Sequence, residues 1–189
     1  MQRVFVAADI YKKKEIQKIQ QNLVTYLQMD YKTLKLVRPE NFHFTLVFFG
    51  EINDTIVNKI VAKIGEIEFQ SFRIIYDRIG VFPNTNNARI VWIGLDETSK
   101  RSFNEMSNTV MSKLGELDLK LDKEIEKEII PHITLFRTKK VYLKLNLNNI
   151  KSKFIINDII DTISVKKSTI TNYGSIYENI TSVKGKWIH

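Results

Sequence analysis

The chain has 189 residues, 43% of them hydrophobic and 26% charged, which fits a globular protein of one domain, or one domain built as two similar lobes. Its formal charge of +8 and pI near 9.5 point to a polyanionic partner, nucleic acid foremost, although a generally Lys-rich composition reads the same way. Cysteine is absent, which excludes disulfides, thiolate catalysis and Cys-ligated zinc.

The first ten residues, MQRVFVAADI, lack the basic region and long apolar run of a signal peptide. No window approaches 18 uninterrupted apolar residues, so the expectation is a soluble, cytoplasmic protein off the membrane. Residues 3–8 (RVFVAA) read as a largely buried strand. Asp9 is placed to cap a helix running to about Gln28, with Ile16, Ile19, Leu23 and Leu27 as its apolar stripe. Lys12, Lys13 and Lys14 fall in its first turn, as a solvated basic rim or an attraction for an RNA backbone. Residues 34–37 form a short strand ended by Arg38-Pro39. Residues 43–49 form another, closed by Gly50, whose strict alternation puts His43, Thr45, Val47 and Phe49 on one face.

Asn53 or Asp54 starts a second helix with Ile56, Val57, Ile60, Val61, Ile64 and Ile67 as its stripe. Residues 69–81 are mostly extended, 82–87 form a loop, and 89–95 (RIVWIGL) form a strong strand. A third helix spans about 99–117, and 118–128 reads as a solvated connection. After a strand around His132, residues 138–153 are ambiguous between strand and loop. Residues 155–171 and 175–183 then predict a final hairpin turning near 172–174. The order of strands, helix and motif strand occurs twice. It predicts an α+β fold over 1–189, a single bilobal unit with the cleft between its lobes as the site.

The motif that repeats is His-x-Thr-Leu, at His43 (FHFTL) and, 89 residues later, at His132 (PHITLFR). With 13 Thr and 14 Leu in the chain, a given His heads that frame by chance roughly once in 200, yet two of the three histidines do. A lone strand His is usually a satisfied structural residue, but the duplication favours a paired function. Two imidazoles near their ordinary pKa of about 6.5 can relay protons, one taking from an attacking oxygen and one giving to a leaving oxygen. Thr45 and Thr134 point the same way as their histidines and can donate hydroxyl hydrogens to an anion, although both also suit a strand simply as β-formers. That set fits in-line displacement at a phosphodiester. Arg137 can add a forked, charged donor if the strand ends or bulges before it, since strict alternation puts it on the wrong face. Two His without a third ligand at a recognisable spacing give poor support for a metal, and the sequence has neither a nucleophile elbow nor a Gly-rich phosphate loop. No cofactor is expected.

The pieces RVFVAADI, ENFHFTLVFFGEI, GVFPN, ARIVWIGL, IPHITLFR and STITNYGSIYENI, in that order, resemble the two-histidine phosphoesterases. The closer resemblance is to the RNA 2′,3′-cyclic phosphodiesterases, also called 2′-5′ RNA ligases. It covers nearly the whole chain and implies two pseudo-twofold-related lobes of antiparallel sheet, helices outside, and His43 facing His132 across a basic cleft. It further implies metal-free hydrolysis of RNA 2′,3′-cyclic phosphate ends, or of a small cyclic nucleotide, to a 2′-phosphate by a monomer. His132 would be the base on water and His43 the acid to the departing 3′-oxygen, with Thr45, Thr134 and Arg137 on the phosphate. Phe5 and Phe48 are candidates to stack on the terminal base, against the alternative that both are core. Reversible 2′-5′ ligation of RNA halves, or RNA-end binding without turnover, are the rival functions.

Overall fold

A computed structural model describes residues 1–117, 130–139, 144, 154–172 and 174–187. The expected connection at 118–128 and nearly all of the ambiguous stretch at 138–153 lie outside these residues. Among the described residues nine strands form two antiparallel sheets, and three α-helices accompany them. In chain order the elements are β1 (Gln2–Ala8), α1 (Lys13–Tyr26), β2 (Leu34–Leu36), β3 (Phe44–Ile52), α2 (Asp54–Gly65), β4 (Phe72–Phe82) and β5 (Ile90–Leu95). There follow α3 (Glu97–Gly115), β6 (His132–Thr138), β7 (Ile156–Ile160), β8 (Thr162–Thr171) and β9 (Gly174–Lys184). The first sheet has the order β3-β1-β8-β9 and the second β2-β6-β5-β4-β7. This is the expected α+β bilobal fold, but its lobes are not the two halves of the sequence, because β8 and β9 return to complete the first sheet. No described helix is long and apolar enough to cross a membrane.

The helix stripes fall where the periodicity places them. Ile16, Leu23 and Val24 of α1, Val57, Ile60 and Ile64 of α2, and Phe103, Met106, Val110 and Leu114 of α3 are all buried. Asn53 caps α2 by accepting from the Ile56 amide at 2.9 Å, and Asp96 caps α3 by accepting from Ser99 at 2.8 Å. Asp9 does not cap α1. Its carboxylate pairs with Lys166 at 2.8 Å and accepts from the Ser164 hydroxyl. The amides of Tyr11 and Lys12, just ahead of α1, donate instead to Asp158, more than 140 residues on. The extended run 155–171 also differs from expectation. It breaks at Asp161 into β7, which pairs with β4 in the second sheet, and β8, which pairs with β1 in the first. The β8–β9 hairpin is as expected.

Both motif strands carry an extra residue at the same place. Val6 and Ala7 of β1 face Val47 and Thr45 of β3, so Leu46 is surplus. Val91 and Trp92 of β5 face Phe136 and Thr134 of β6, so Leu135 is surplus. The Leu of each His-x-Thr-Leu box is therefore a β-bulge, and a bulge reverses the facing of everything after it. Val47, expected beside His43 and Thr45, is 2% exposed, whereas Phe48 is 47% exposed. On β6 the same device turns Arg137 to the face of His132 and Thr134. A further shift skips Phe49, and Gly50 follows at φ +69°, a value glycine takes freely.

The second bulge is held from α1. Gln20, 2% exposed, donates its amide to the carbonyls of Leu135 at 2.6 Å and Val37 at 2.9 Å, and the Val37 amide also donates to Leu135. Gln20→Leu removes a buried donor from both carbonyls. It is expected to cost about 1–3 kcal/mol, read as a lowered midpoint in urea denaturation; an unchanged midpoint would show that the bulge needs no tether.

Candidate active site

The two sheets face one another across a cleft of about 450 Å³, with His43, Thr45, His132, Thr134 and Arg137 all on its wall. All five residues expected to act on the phosphate are thus brought together, although they come from opposite sheets. Asn41, ending a short turn (Pro39–Asn41), offers its carbonyl to His43 Nδ1 at 2.7 Å, and Ile130 does the same for His132 Nδ1 at 2.8 Å. A carbonyl can only accept, so in each neutral ring the proton sits on Nδ1 and Nε2 carries the lone pair. The Thr45 hydroxyl lies 3.1 Å from His43 Nε2 and donates to it. Asn41 is itself tied to the β9 hairpin by a 2.8 Å bond from its side-chain amide to the Ser175 carbonyl.

Each imidazole is walled by aromatic rings. His43 packs against Phe5 and Tyr177 at centroid distances of 4.9 and 5.3 Å. His132 packs against Phe82 at 5.0 Å and Trp92 at 6.0 Å. Trp92 lies over Gly80 so closely that a Cβ there would fall 2.0 Å from its ring, so this wall depends on a glycine in β4. Burial foremost, with Lys166 and Lys13 acting in the same direction and the Asn41 carbonyl and Asp9 against it, lowers the pKa of His43 to about 4. Burial also lowers His132, helped by the nearby Arg137 and opposed by the Ile130 carbonyl. Both shifts favour the neutral imidazole.

The charges on the wall are of one sign. Arg3, Lys35, Arg38 and Arg137 line it, with no Asp or Glu among the lining residues. Among the described residues no group of three His, Asp or Glu side chains converges as a metal site. Phe5 also lines the cleft, but at 3% exposed it packs against both His43 and Tyr177. Phe48 does reach the cleft and carries the Arg3 guanidinium 4.9 Å from its ring centre. Tyr177, Trp92, Arg3 and Lys35 were not singled out by the sequence reading. Tyr177 and Trp92 do lie inside the stretches STITNYGSIYENI and ARIVWIGL that carry the family resemblance, which was the available signal.

Two antiparallel sheets that each present a bulged His-x-Thr-Leu strand to a shared basic cleft define a two-histidine phosphoesterase. Comparison with known proteins agrees: the profile of the LigT like Phosphoesterase family matches residues 12–92. The RNA 2′,3′-cyclic phosphodiesterase of Methanocaldococcus jannaschii is 33% identical over 184 residues, 94% of this chain and 98% of that protein. Among solved structures, TT0787 of Thermus thermophilus superposes with a TM-score of 0.79 at 20% identity, covering 96% of this chain and 97% of that one. Escherichia coli LigT complexed with 3′-AMP gives 0.74 at 20% identity, covering 97% of both. The chain belongs to the RNA 2′,3′-cyclic phosphodiesterase family.

Proposed function

We propose that this protein hydrolyses the 2′,3′-cyclic phosphate ends of RNA to 2′-phosphates through His43 and His132, without a metal. The observation that carries this reading is the pair of imidazoles on one cleft wall, each with Nδ1 fixed on a backbone carbonyl so that Nε2 carries the lone pair, and with only cationic charges among the described lining residues. The family relation and the 3′-AMP bound by Escherichia coli LigT support it. In this reaction His132 Nε2 takes a proton from water as its oxygen bonds to phosphorus. The P–O3′ bond breaks in line, and His43 Nε2–H protonates the departing 3′-oxygen. Thr45 and Thr134 donate to the non-bridging oxygens and Arg137 balances their charge. The Arg3–Phe48 pair receives the terminal base.

For His43 to serve as the acid it must gain a proton that burial disfavours. The bound phosphate supplies the opposing charge, and its arrival draws Thr45 off Nε2. The pH dependence follows. With both rings below their ordinary 6.5, kcat/KM, which reports the free enzyme, peaks on the acid side of pH 6.5 and falls above it. The kcat profile, which reports the phosphate-bound state, is displaced to higher pH. Initial rates from pH 4.5 to 8.5 test this; a kcat/KM maximum above pH 7.5 would contradict it.

The reaction itself is tested by incubating the protein in EDTA with a short RNA ending in a 2′,3′-cyclic phosphate and separating the products by chromatography. A 2′-phosphate end is expected. A 3′-phosphate end, or turnover abolished by EDTA, would overturn the mechanism, and substrate bound but uncleaved would make the protein an RNA-end binder.

A further inference from the structure

We propose that the edge of the second sheet carries a second phosphate subsite, in which Lys35 holds the phosphodiester joining the terminal nucleotide to the one before it. The cleft would thereby select strand ends over cyclic mononucleotides. The inference rests on the reading above for the position of the cyclic phosphate.

Its first support is an electrostatic misfit. Lys35 of β2 stands directly opposite Arg137 of β6, so the two share a sheet face, and both line the cleft. Like charges directly opposite one another destabilise a strand pair. Both side chains are exposed, and among the described residues neither has a carboxylate partner to offset the repulsion. Of its neighbours Leu34 turns into the core while Leu36 lines the cleft beside it, so Lys35 is the one cation that β2 brings to the site. Two phosphates of one strand, one over each side chain, convert the repulsion into attraction.

The second support is the asymmetry of the two bulged strands. The residue five positions after each motif histidine emerges into the cleft, and on β3 it is Phe48 with Arg3 over its ring. On β6 it is Arg137 with Lys35 across from it. One wall is therefore built for a base and the other for backbone charge. Lys35 stands on the edge strand, one strand further from the histidines than Arg137, and neighbouring strands are about 4.8 Å apart. Arg38, two residues past the end of β2, continues the cationic line at the rim, with an exposed 3.9 Å contact to Glu40. A strand whose last phosphate lies on Arg137 finds its next phosphate over Lys35.

The test compares kcat/KM for a nucleoside 2′,3′-cyclic phosphate with that for a dinucleotide ending in the same group, in wild type and in K35A. Wild type is expected to prefer the dinucleotide by about tenfold or more, and K35A to lose about five- to tenfold of that preference while its mononucleotide rate stays within about twofold. The log–log salt slope for the dinucleotide should fall by about 0.7 in K35A, the share of one single-strand phosphate. An unchanged preference in K35A would overturn the subsite. So would an equal loss on both substrates, which would place Lys35 on the reacting phosphate or in the fold. If wild type cleaves neither substrate, the hydrolase reading falls, and the same comparison made by equilibrium binding of the two 2′-phosphate products still decides the subsite.

Discussion

Replacing either His43 or His132 by Ala is expected to lower kcat by about a thousandfold, with the double variant little slower than the worse single one. Acid–base groups of this kind contribute about 10²–10⁴ each, and groups acting in one relay are not additive. In the proposed mechanism loss of His43 would leave the 3′-oxygen to depart as an alkoxide, whereas loss of His132 would leave water to attack without a base. The folded state should survive both changes. Each ring makes one Nδ1 bond to a backbone carbonyl and leans on two aromatic rings, so truncation costs about 1–3 kcal/mol of a marginal but sufficient total. Single-turnover rates on cyclic-phosphate RNA, with circular dichroism as the control for folding, make the check. A folded variant of either residue that retains more than a tenth of wild-type kcat would remove that histidine from the mechanism.

Asp158→Ala is expected to be the most damaging single change to stability outside the apolar core. The Asp158 carboxylate is 5% exposed and accepts from the amides of Tyr11, Lys12 and Ile159 and from the Tyr76 hydroxyl. Tyr76 is 0% exposed, and burial beside this carboxylate drives its pKa well above the ordinary value, so it stays a neutral donor. One side chain of β7, in the second sheet, thus fastens the chain as it leaves β1, in the first, and opens α1. Truncation orphans several buried donors together, for an expected loss of about 3–5 kcal/mol. In a protein of this size that lowers Tm by roughly 6–15 °C. Asp158→Asn, which keeps one acceptor oxygen, should fall between. A Tm for the Ala variant within about 2 °C of wild type would mean that water replaces the carboxylate at no cost.

The parts of this molecule legible in its sequence are those decided locally. Helix stripes, the Asn53 cap, the β8–β9 turn and the doubled His-x-Thr-Leu frame depend on residues within a few positions of each other. What sequence reasoning missed depends on partners far along the chain. A bulge exists only relative to the strand it faces, so alternation alone put Val47 in the cleft and left Arg137 conditional. The surplus residues became visible only when β1 and β5 supplied a register. Asp9 has the right chemistry and position to cap α1, but Lys166 and Ser164 claim its carboxylate and Asp158 takes the amides. The apolar run through Asp161 gives no sign that the chain changes sheets there. Phe5 and Phe48 look equivalent as letters; depth separates them, Phe5 at 3% exposed and Phe48 at 47%.

The return of β8 and β9 to the first sheet also bears on how the molecule is made. During synthesis β1 emerges first, yet one of its two neighbours, β8, lies some 160 residues later, and β9, which brings Tyr177 to His43, comes later still. Until then β1 waits with an open edge and an apolar face, a template for pairing with another chain. The His43 lobe therefore completes only after β8 and β9 have left the ribosome. Such distant pairing places this fold among the slow folders, for which exposure to aggregation on the way to the native state is the governing hazard.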